Sequence, residues 1–281
     1  MLETFLRFVR KKYCPAKHPE TQLEPIQKDR AIQTLDDLLT LPNLLDSGSL
    51  VIFDVDDTLT TTNDLFGRMK GQRIVQTILH DRLQNGIISD IERDRLFGLM
   101  MTRSSYRLLE EKSLILIQQF QDRKIPVYVL TGLRTDIVGW DNPLKWRIDG
   151  LQHLGIDLRK GTHPDPIDLG DGAAYQDGVI VSGWLKKGEA FLRLIQRIQS
   201  TMPRQIIMID DGLKHLQSVQ DMANQQGILF KGYHYQSSIL QADPDPDPKV
   251  LDNQLTILQL EGDLPPYDRV VQHWSKVVQF K

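Results

Sequence analysis

The stretch that decides the fold is Leu50-Val51-Ile52-Phe53-Asp54-Val55-Asp56-Asp57-Thr58-Leu59-Thr60. Its first four residues are apolar and two are β-branched, which predicts a strand buried on both faces, as in a parallel sheet. The strand runs directly into three carboxylates. In an extended chain Asp54 and Asp56 point to one side and Asp57 to the other. Because such close carboxylates repel one another unless a cation lies between them, we expect a hard divalent ion here, Mg²⁺.

Two other interpretations of this stretch are less consistent with its residues. A helix-loop-helix calcium site would need Asp or Asn at Thr58 and Gly at Leu59. A strand ending in an ordinary polar turn would not explain three acids within four positions.

Length and composition limit the remaining classes. The 281 residues fit one large α/β domain with an insertion, or two small domains. A net charge of −3 provides no basic field, so we expect no nucleic-acid partner. Cys14 is the only cysteine, which excludes a disulfide framework and a cysteine-based zinc site. No apolar run approaches the roughly 20 residues of a membrane span, so we expect no transmembrane segment.

The N-terminal region, residues 1–49, is expected to hold helices and a linker. Residues 1–12 form an amphipathic, basic pattern without a cleavage site, so we expect no secretory signal. The pattern fits a surface helix packed on the domain, or a helix that contacts a membrane or partner. Residues 13–25 contain three prolines and predict a linker, and residues 26–41 predict a helix ended by Pro42.

Polar residues recur at later strand ends and at one helix start. The strand Ile125–Leu130 ends in Thr131-Gly132, a hydroxyl followed by a turn with room for phosphate. The strand Gln205–Ile209 ends in Asp210-Asp211. Between them, a polar loop over 160–177 and a hairpin over 175–183 precede Lys186-Lys187-Gly188, where an amphipathic helix opens. Either lysine could instead be a solvated surface charge.

The segments 63–84 and 89–120 show helical spacing and exceed the length that one strand–helix–strand crossover needs. We interpret the excess as a small helical insertion over the carboxylates, hinged near residues 60–67; the alternative is that these helices enlarge the core. Two C-terminal helical stretches, 249–260 and 266–279, are expected to dock on the sheet. The residues of the insertion that could contact a substrate, or simply be solvated, are Arg68, Lys70, Arg73, Arg103 and Tyr106.

Together, the four strand-end and helix-start motifs over residues 50–230 resemble those of the haloacid dehalogenase-like superfamily, most members of which are Mg²⁺-dependent phosphatases. The resemblance implies an α/β fold, with a Rossmann-like parallel sheet flanked by helices and a small helical cap. It divides the chain into the N-terminal region, a core over 50–235 with the cap at about 63–120, and a helical extension over 236–281.

The resemblance also implies residue roles. Asp54 would attack phosphorus, Asp56 would be the general acid and base, Thr131 would hold a phosphoryl oxygen, and Lys187 would offset charge. The Mg²⁺ ligands would come from Asp54, Asp56, Asp211 and Asp210. Asp211 aligns with the commoner direct ligand. His215 stands where many relatives have another acid, so the outer metal shell departs from the pattern.

The function expected from these features is a Mg²⁺-dependent phosphomonoester hydrolase acting through an aspartyl-phosphate. Its partner would be a phosphorylated substrate: a small molecule, a phosphoprotein or a phosphoinositide. The alternatives are a phosphotransferase and a catalytically retired binding protein on the same fold.

Three details, in residues 175–180, 187–189 and 209–219, resemble an uncharacterised bacterial branch of the superfamily that occurs in intracellular pathogens. That branch implies a protein that stays in the cytoplasm, or an effector secreted into a host cell without a cleaved signal.

Overall fold

The computed structural model describes residues 31–199 and 201–278, with backbone only from residue 273 onward. The helix expected at residues 1–12 and the linker expected at 13–25 lie outside the described residues. No helix of the described part is long and apolar enough to cross a membrane.

An eight-stranded sheet forms the centre of the molecule, in the order β1-β10-β9-β2-β5-β8-β7-β6. The five neighbouring pairs from β1 to β8 are parallel, and β7 pairs antiparallel with β8 and β6. The sheet strands are β1 (Ala31–Ile32), β2 (Ser49–Phe53), β5 (Val127–Thr131), β6 (Ile167–Gly170), β7 (Ala173–Gln176), β8 (Val179–Val181), β9 (Gln205–Asp210) and β10 (Leu229–Tyr235). The predicted α/β class, with a mostly parallel, Rossmann-like sheet flanked by helices, is confirmed.

Helices α3 (Lys112–Asp122) and α4 (Pro143–His153) cover one face of this sheet, and α5 (Lys187–Arg197) and α6 (Leu213–Gln226) cover the other. The remaining helices are α1 (Met69–Gln84), α2 (Asp90–Arg103), α7 (Ser238–Gln241), α8 (Pro248–Glu261) and α9 (Tyr267–Val278). The side chains of β2 show how one strand packs against both helix layers, because successive side chains of a strand point to opposite faces of the sheet. Val51 and Phe53 pack with α3 and α4, whereas Leu50 and Ile52 pack with α5 and α6.

The segment between β2 and β5 is only partly as expected. Helices α1 and α2 fall within the predicted spans, but residues 106–108 form a strand, β4 (Tyr106–Leu108), where a continuous helix over 89–120 was expected. It pairs antiparallel with β3 (Thr60–Thr62). The helix ends at Ser104, whose backbone is extended, and the chain then continues into the ladder. A two-stranded ribbon therefore connects the insertion to the core.

Helix α8 packs on the insertion, so the docking on the sheet that was expected for residues 249–260 was wrong. Leu251, Leu255 and Leu258 of α8 share a buried cluster with side chains of α1 and α2. Arg82 of α1 donates to Asp252 at 2.7 Å across the same contact. The amphipathic pattern predicts a buried face, but it does not identify the surface that covers that face.

The described part of residues 26–41 also differs from the expected helix. Residues 31–32 form β1 beside β10, and two 3₁₀ helices follow, Leu35–Leu38 and Leu41–Leu44. The Thr34 side chain accepts a hydrogen bond from the Asp36 amide, and Pro42 stands in the second 3₁₀ helix. These local bonds favour short turns over one continuous helix.

Two further expectations concern the region before α5. The hairpin predicted over 175–183 is present as β7 and β8. The loop predicted over 160–177 is ordered in part as β6 and β7, which form a second hairpin about Asp171 and Gly172.

The contact between α8 and the insertion generates a stability prediction. Leu255 is fully buried, so Leu255→Ala removes core contacts and should lower the free energy of unfolding by about 2–5 kcal/mol. Leu260 lies on the same helix but is 79% exposed, so Leu260→Ala should change it by about 0.5 kcal/mol or less. Urea unfolding followed by circular dichroism measures both. Equal effects would contradict the packing of α8 on α1 and α2.

Candidate functional site

The candidate site lies at the carboxyl ends of β2, β5 and β9. The chain leaves β2 toward β5 on one side and returns as β9 on the other, so the strand order reverses at β2. Ligands of open α/β sheets bind in the crevice at such a reversal. The predicted residues Asp54, Thr131 and Asp210 stand at these three strand ends.

Asp54 is held by contacts to several elements. Its amide donates to the Ile209 carbonyl at 2.9 Å, which continues the ladder with β9 past the end of β2. Its Oδ1 accepts from Lys187 Nζ, and its Oδ2 accepts from the Thr58 hydroxyl at 3.4 Å. The side chain is buried, so its orientation is fixed before any ligand arrives.

Lys187, the first residue of α5, lies between two carboxylates. Its buried ammonium donates to Asp54 Oδ1 and, at 2.7 Å, to Asp210 Oδ2. Lys186 is exposed and does not take this position. Gly188 explains how α5 comes so near α6, because a Cβ at Gly188 would lie 2.1 Å from the Ser218 carbonyl oxygen. The Lys-Gly pair noted in the sequence thus supplies one buried charge that binds two carboxylates and one glycine that the packing of α5 on α6 requires.

Asp210 and Asp211 differ in their surroundings. Asp210 is fully buried, and its Oδ1 accepts from the Gly212 amide at 2.7 Å and lies 3.1 Å from His215 Nδ1. Asp211 is half-buried, and its carbonyl oxygen lies 2.9 Å from His234 Nε2. His215, which replaces the acid of the expected pattern, therefore contacts a carboxylate instead of adding one.

Carboxylate oxygens of Asp54, Asp210 and Asp211 all lie within 4.8 Å of one another. Hard divalent cations prefer such oxygen ligands, and these three side chains could hold one. The fourth predicted ligand, Asp56, has its carboxylate elsewhere, as described below.

Burial and mutual repulsion change the pKa values of the acids in this cluster. Burial raises the pKa of Asp54 to about 7, an effect that Lys187 opposes and that Asp210 and Asp211 increase. Burial, followed by the charge of Asp210, also raises the pKa of Asp211 to about 7. Burial acts in the same direction on Asp210, but Lys187 and His215 hold its pKa below the ordinary value.

The Lys187 ammonium and the carboxyl of Asp57 also have shifted pKa values. Burial disfavours the charged form of Lys187, but Asp54 and Asp210 outweigh burial and raise its pKa. Asp57 has a left-handed backbone (φ 60°), and its Oδ1 accepts from the Thr61 hydroxyl at 3.0 Å. Burial raises the pKa of Asp57 to about 7. The cluster thus favours either protons or a cation over three bare carboxylates.

Asp56 is bound by an arginine that the sequence analysis missed. Arg147 of α4 donates from one guanidinium nitrogen to both carboxylate oxygens, at 3.0 and 2.8 Å, and its side chain is 4% exposed. The Thr131 hydroxyl donates to Asp56 at 3.4 Å. A signal was available in the sequence: Arg147 lies on the same helical face as Leu144, Ile148 and Leu151, which are buried.

The insertion reaches this part of the site through Tyr106 of β4. The Tyr106 ring is 5.7 Å from the Trp146 ring, and the Arg147 guanidinium lies 5.9 Å from the Tyr106 ring and 5.0 Å from that of Trp146. Tyr106 therefore belongs to the packing around Arg147.

The other proposed contact residues of the insertion are placed differently. Arg68 forms an ion pair with Asp243, and Lys70 donates to the Asp243 carbonyl at 2.7 Å. Arg73 lines a cavity of about 330 Å³ with Asp57 and Asp211, and Arg103 is exposed. Of these four, both Lys70 and Arg73 line this cavity, which Asp211 of the acid cluster also lines.

Comparison with known proteins gives a family and no described function. A family model described as "Protein of unknown function (DUF2608)" matches residues 29–261. The searches of curated proteins and of solved structures found no match. The matched span runs from β1 to the end of α8, so it contains the whole sheet, the insertion and every site residue described above. The chain belongs to the DUF2608 family.

Proposed function

We propose that this protein is a Mg²⁺-dependent phosphomonoester hydrolase that acts through an aspartyl-phosphate. The observation that supports this most strongly is the buried Asp54 carboxylate, which is oriented by Lys187 at the reversal of strand order and flanked by Asp210 and Asp211. A nucleophilic carboxylate needs a fixed orientation and nearby positive charge to receive a phosphate dianion. Thr131 ends the adjacent strand and adds a hydroxyl beside Asp56.

The donor set fits the expected cation. Asp54, Asp210 and Asp211 offer carboxylate oxygens close enough for one ion, and Lys187 offsets part of their charge. Bound Mg²⁺ would offset the remaining negative charge and so allow a phosphate group to approach.

The covalent chemistry is carried by two aspartates. An oxygen of Asp54 attacks phosphorus, a new O–P bond forms, and the ester O–P bond breaks as the leaving oxygen takes a proton from Asp56. Water then attacks the phosphorus, Asp56 takes a proton from that water, and the bond to Asp54 breaks to release inorganic phosphate. Lys187 and the Thr131 hydroxyl offer donors to the phosphoryl oxygens.

Arg147 favours the second half of this cycle, in which water hydrolyses the aspartyl-phosphate. It binds the carboxylate form of Asp56, which is the form that accepts a proton from water. Donation to an alkoxide requires a protonated Asp56 and weakens this ion pair, whereas a phenoxide leaves without a proton. Aryl phosphates are therefore suitable first substrates.

The first prediction tests the nucleophile. Asp54→Asn keeps nearly the same shape but removes the attacking anion, so turnover of an aryl phosphate in Mg²⁺ should fall by at least about a thousandfold. The matched control is Asp57→Asn, a neighbouring buried acid whose left-handed backbone suits Asn. The control should keep most of the activity. Comparable turnover in wild type and Asp54→Asn would rule out the covalent mechanism.

The second prediction concerns protons and metal. The raised pKa values of Asp54, Asp57 and Asp211, each about 7, mean that their protonation stabilises the folded state. This stability is present below the unfolded pKa, about 4, and is lost as pH rises through about 7. In chelator, the melting temperature should fall between pH 5 and 8. Mg²⁺ at pH 8 should restore it by binding the ionised cluster.

Asp211→Asn should flatten this pH dependence and reduce the shift that Mg²⁺ causes. Asp122→Asn changes an exposed carboxylate at the end of α3, outside the acid cluster. It should leave both the pH dependence and the Mg²⁺ shift unchanged. Thermal unfolding followed by fluorescence measures both quantities. An identical Mg²⁺ shift in wild type and Asp211→Asn would show that Asp211 does not hold the ion.

A further inference from the structure

A second cavity lies beside Lys187, at the N-terminal turns of α5 and α6. Its volume is about 490 Å³, which is in the range of small-molecule sites. Lys187 and His215 line it, and both also contact a carboxylate of the acid cluster, Asp210. Gly132, which follows Thr131, also lines it. The cavity therefore adjoins the place where the phosphoryl group would react.

The lining carries more positive than negative charge, with three lysines and one carboxylate, Asp221. Lys186 and Lys214 line the cavity and are exposed, and neither forms an ion pair with a residue in the described part of the chain. Lys187 differs, because it forms ion pairs with Asp54 and Asp210. The carboxylate of the lining, Asp221, accepts a hydrogen bond from Gln217 at 2.7 Å.

Folding gives no reason for these two lysines. Lys186 is the N-cap residue of α5 and Lys214 is the second residue of α6, positions where the helix dipole disfavours a cation. The first turn of α6 contains no acid, and the acid in the first turn of α5, Glu189, forms an ion pair with Arg193. Lys249 occupies a comparable position in α8, but there Asp247 caps the helix. The two cavity lysines thus carry an electrostatic cost that an anionic ligand would remove.

We propose that Lys186 and Lys214 bind a second anionic group, a phosphate or a carboxylate, of a small phosphomonoester whose transferred phosphoryl group lies at Asp54. This rests on the proposed function and names its substrate class. The transferred group already has Lys187 and Thr131 as donors, so the two further ammonium groups are available for a second anion. The cavity volume suits a small molecule and not an extended peptide.

The test compares ligands that differ by one phosphate. Binding of fructose 1,6-bisphosphate and of fructose 6-phosphate is measured by isothermal titration calorimetry with the Asp54→Asn variant in Mg²⁺, where turnover does not interfere. The bisphosphate should bind at least about tenfold more tightly, since a charge-assisted contact is of this order. Adding Lys186→Ala and Lys214→Ala should bring the affinity ratio close to one. Lys249→Ala, the matched control, should leave the ratio unchanged.

Equal affinity for the two sugars, or a ratio that survives removal of both lysines, would overturn the inference. Tighter, lysine-dependent binding of an acidic phosphopeptide would overturn the small-molecule class. Wild-type turnover of an aryl phosphate is measured separately. Its absence, with the lysine-dependent preference retained, would overturn the hydrolase and leave the second anion site standing.

Discussion

The site depends on one buried ammonium between two buried carboxylates. Lys187 joins Asp54, which follows β2, to Asp210 at the end of β9, so it fixes α5 against two neighbouring strands. Removing three charges from water is costly, and their mutual attraction compensates only when the geometry is good and the remaining oxygens are bonded. The structure meets this condition, because Thr58, Gly212 and His215 contact the free carboxylate oxygens.

A second ion pair separates the roles of the two aspartates after β2. Arg147 turns the Asp56 carboxylate toward α4, while Lys187 holds Asp54 toward β9. Two carboxylates that are two residues apart thus face different cations from different helices. The packing of Arg147 on Trp146, together with Tyr106 of the insertion, connects this arrangement to the ribbon that carries the insertion. Movement of that ribbon would therefore change the packing around Arg147 and, through Arg147, the position of the Asp56 carboxylate.

The sequence predicted those parts of the structure that depend on local pattern. The apolar runs before Asp54, Thr131 and Asp210 identified β2, β5 and β9, because buried parallel strands are continuous hydrophobic runs. Since the ends of parallel strands meet at one edge, the acids could be expected to converge there. Lys187 was chosen over Lys186 by the resemblance to the superfamily motif, in which a lysine near a helix start is followed by glycine.

The missed features all depend on contacts between distant residues. Arg147 meets Asp56 across 91 positions, and a single arginine in an amphipathic helix does not show which charge it will meet. Strands β3 and β4 are three residues each and pair across the whole insertion, so neither produces a recognisable period. The apolar face of α8 was visible, but its partners, α1 and α2, were not.

The central claim is that Asp54 forms an aspartyl-phosphate. Its most direct test is the mass, during turnover, of the peptide that contains Asp54. In Asp56→Asn the phenoxide of an aryl phosphate can still leave, but no base activates the water, so the aspartyl-phosphate should accumulate. After an acid quench, mass spectrometry should find one phosphoryl group per chain, on the peptide that contains Asp54. An unmodified Asp54 in a variant that has released stoichiometric phenol, or a phosphoryl group on another residue, would contradict the account.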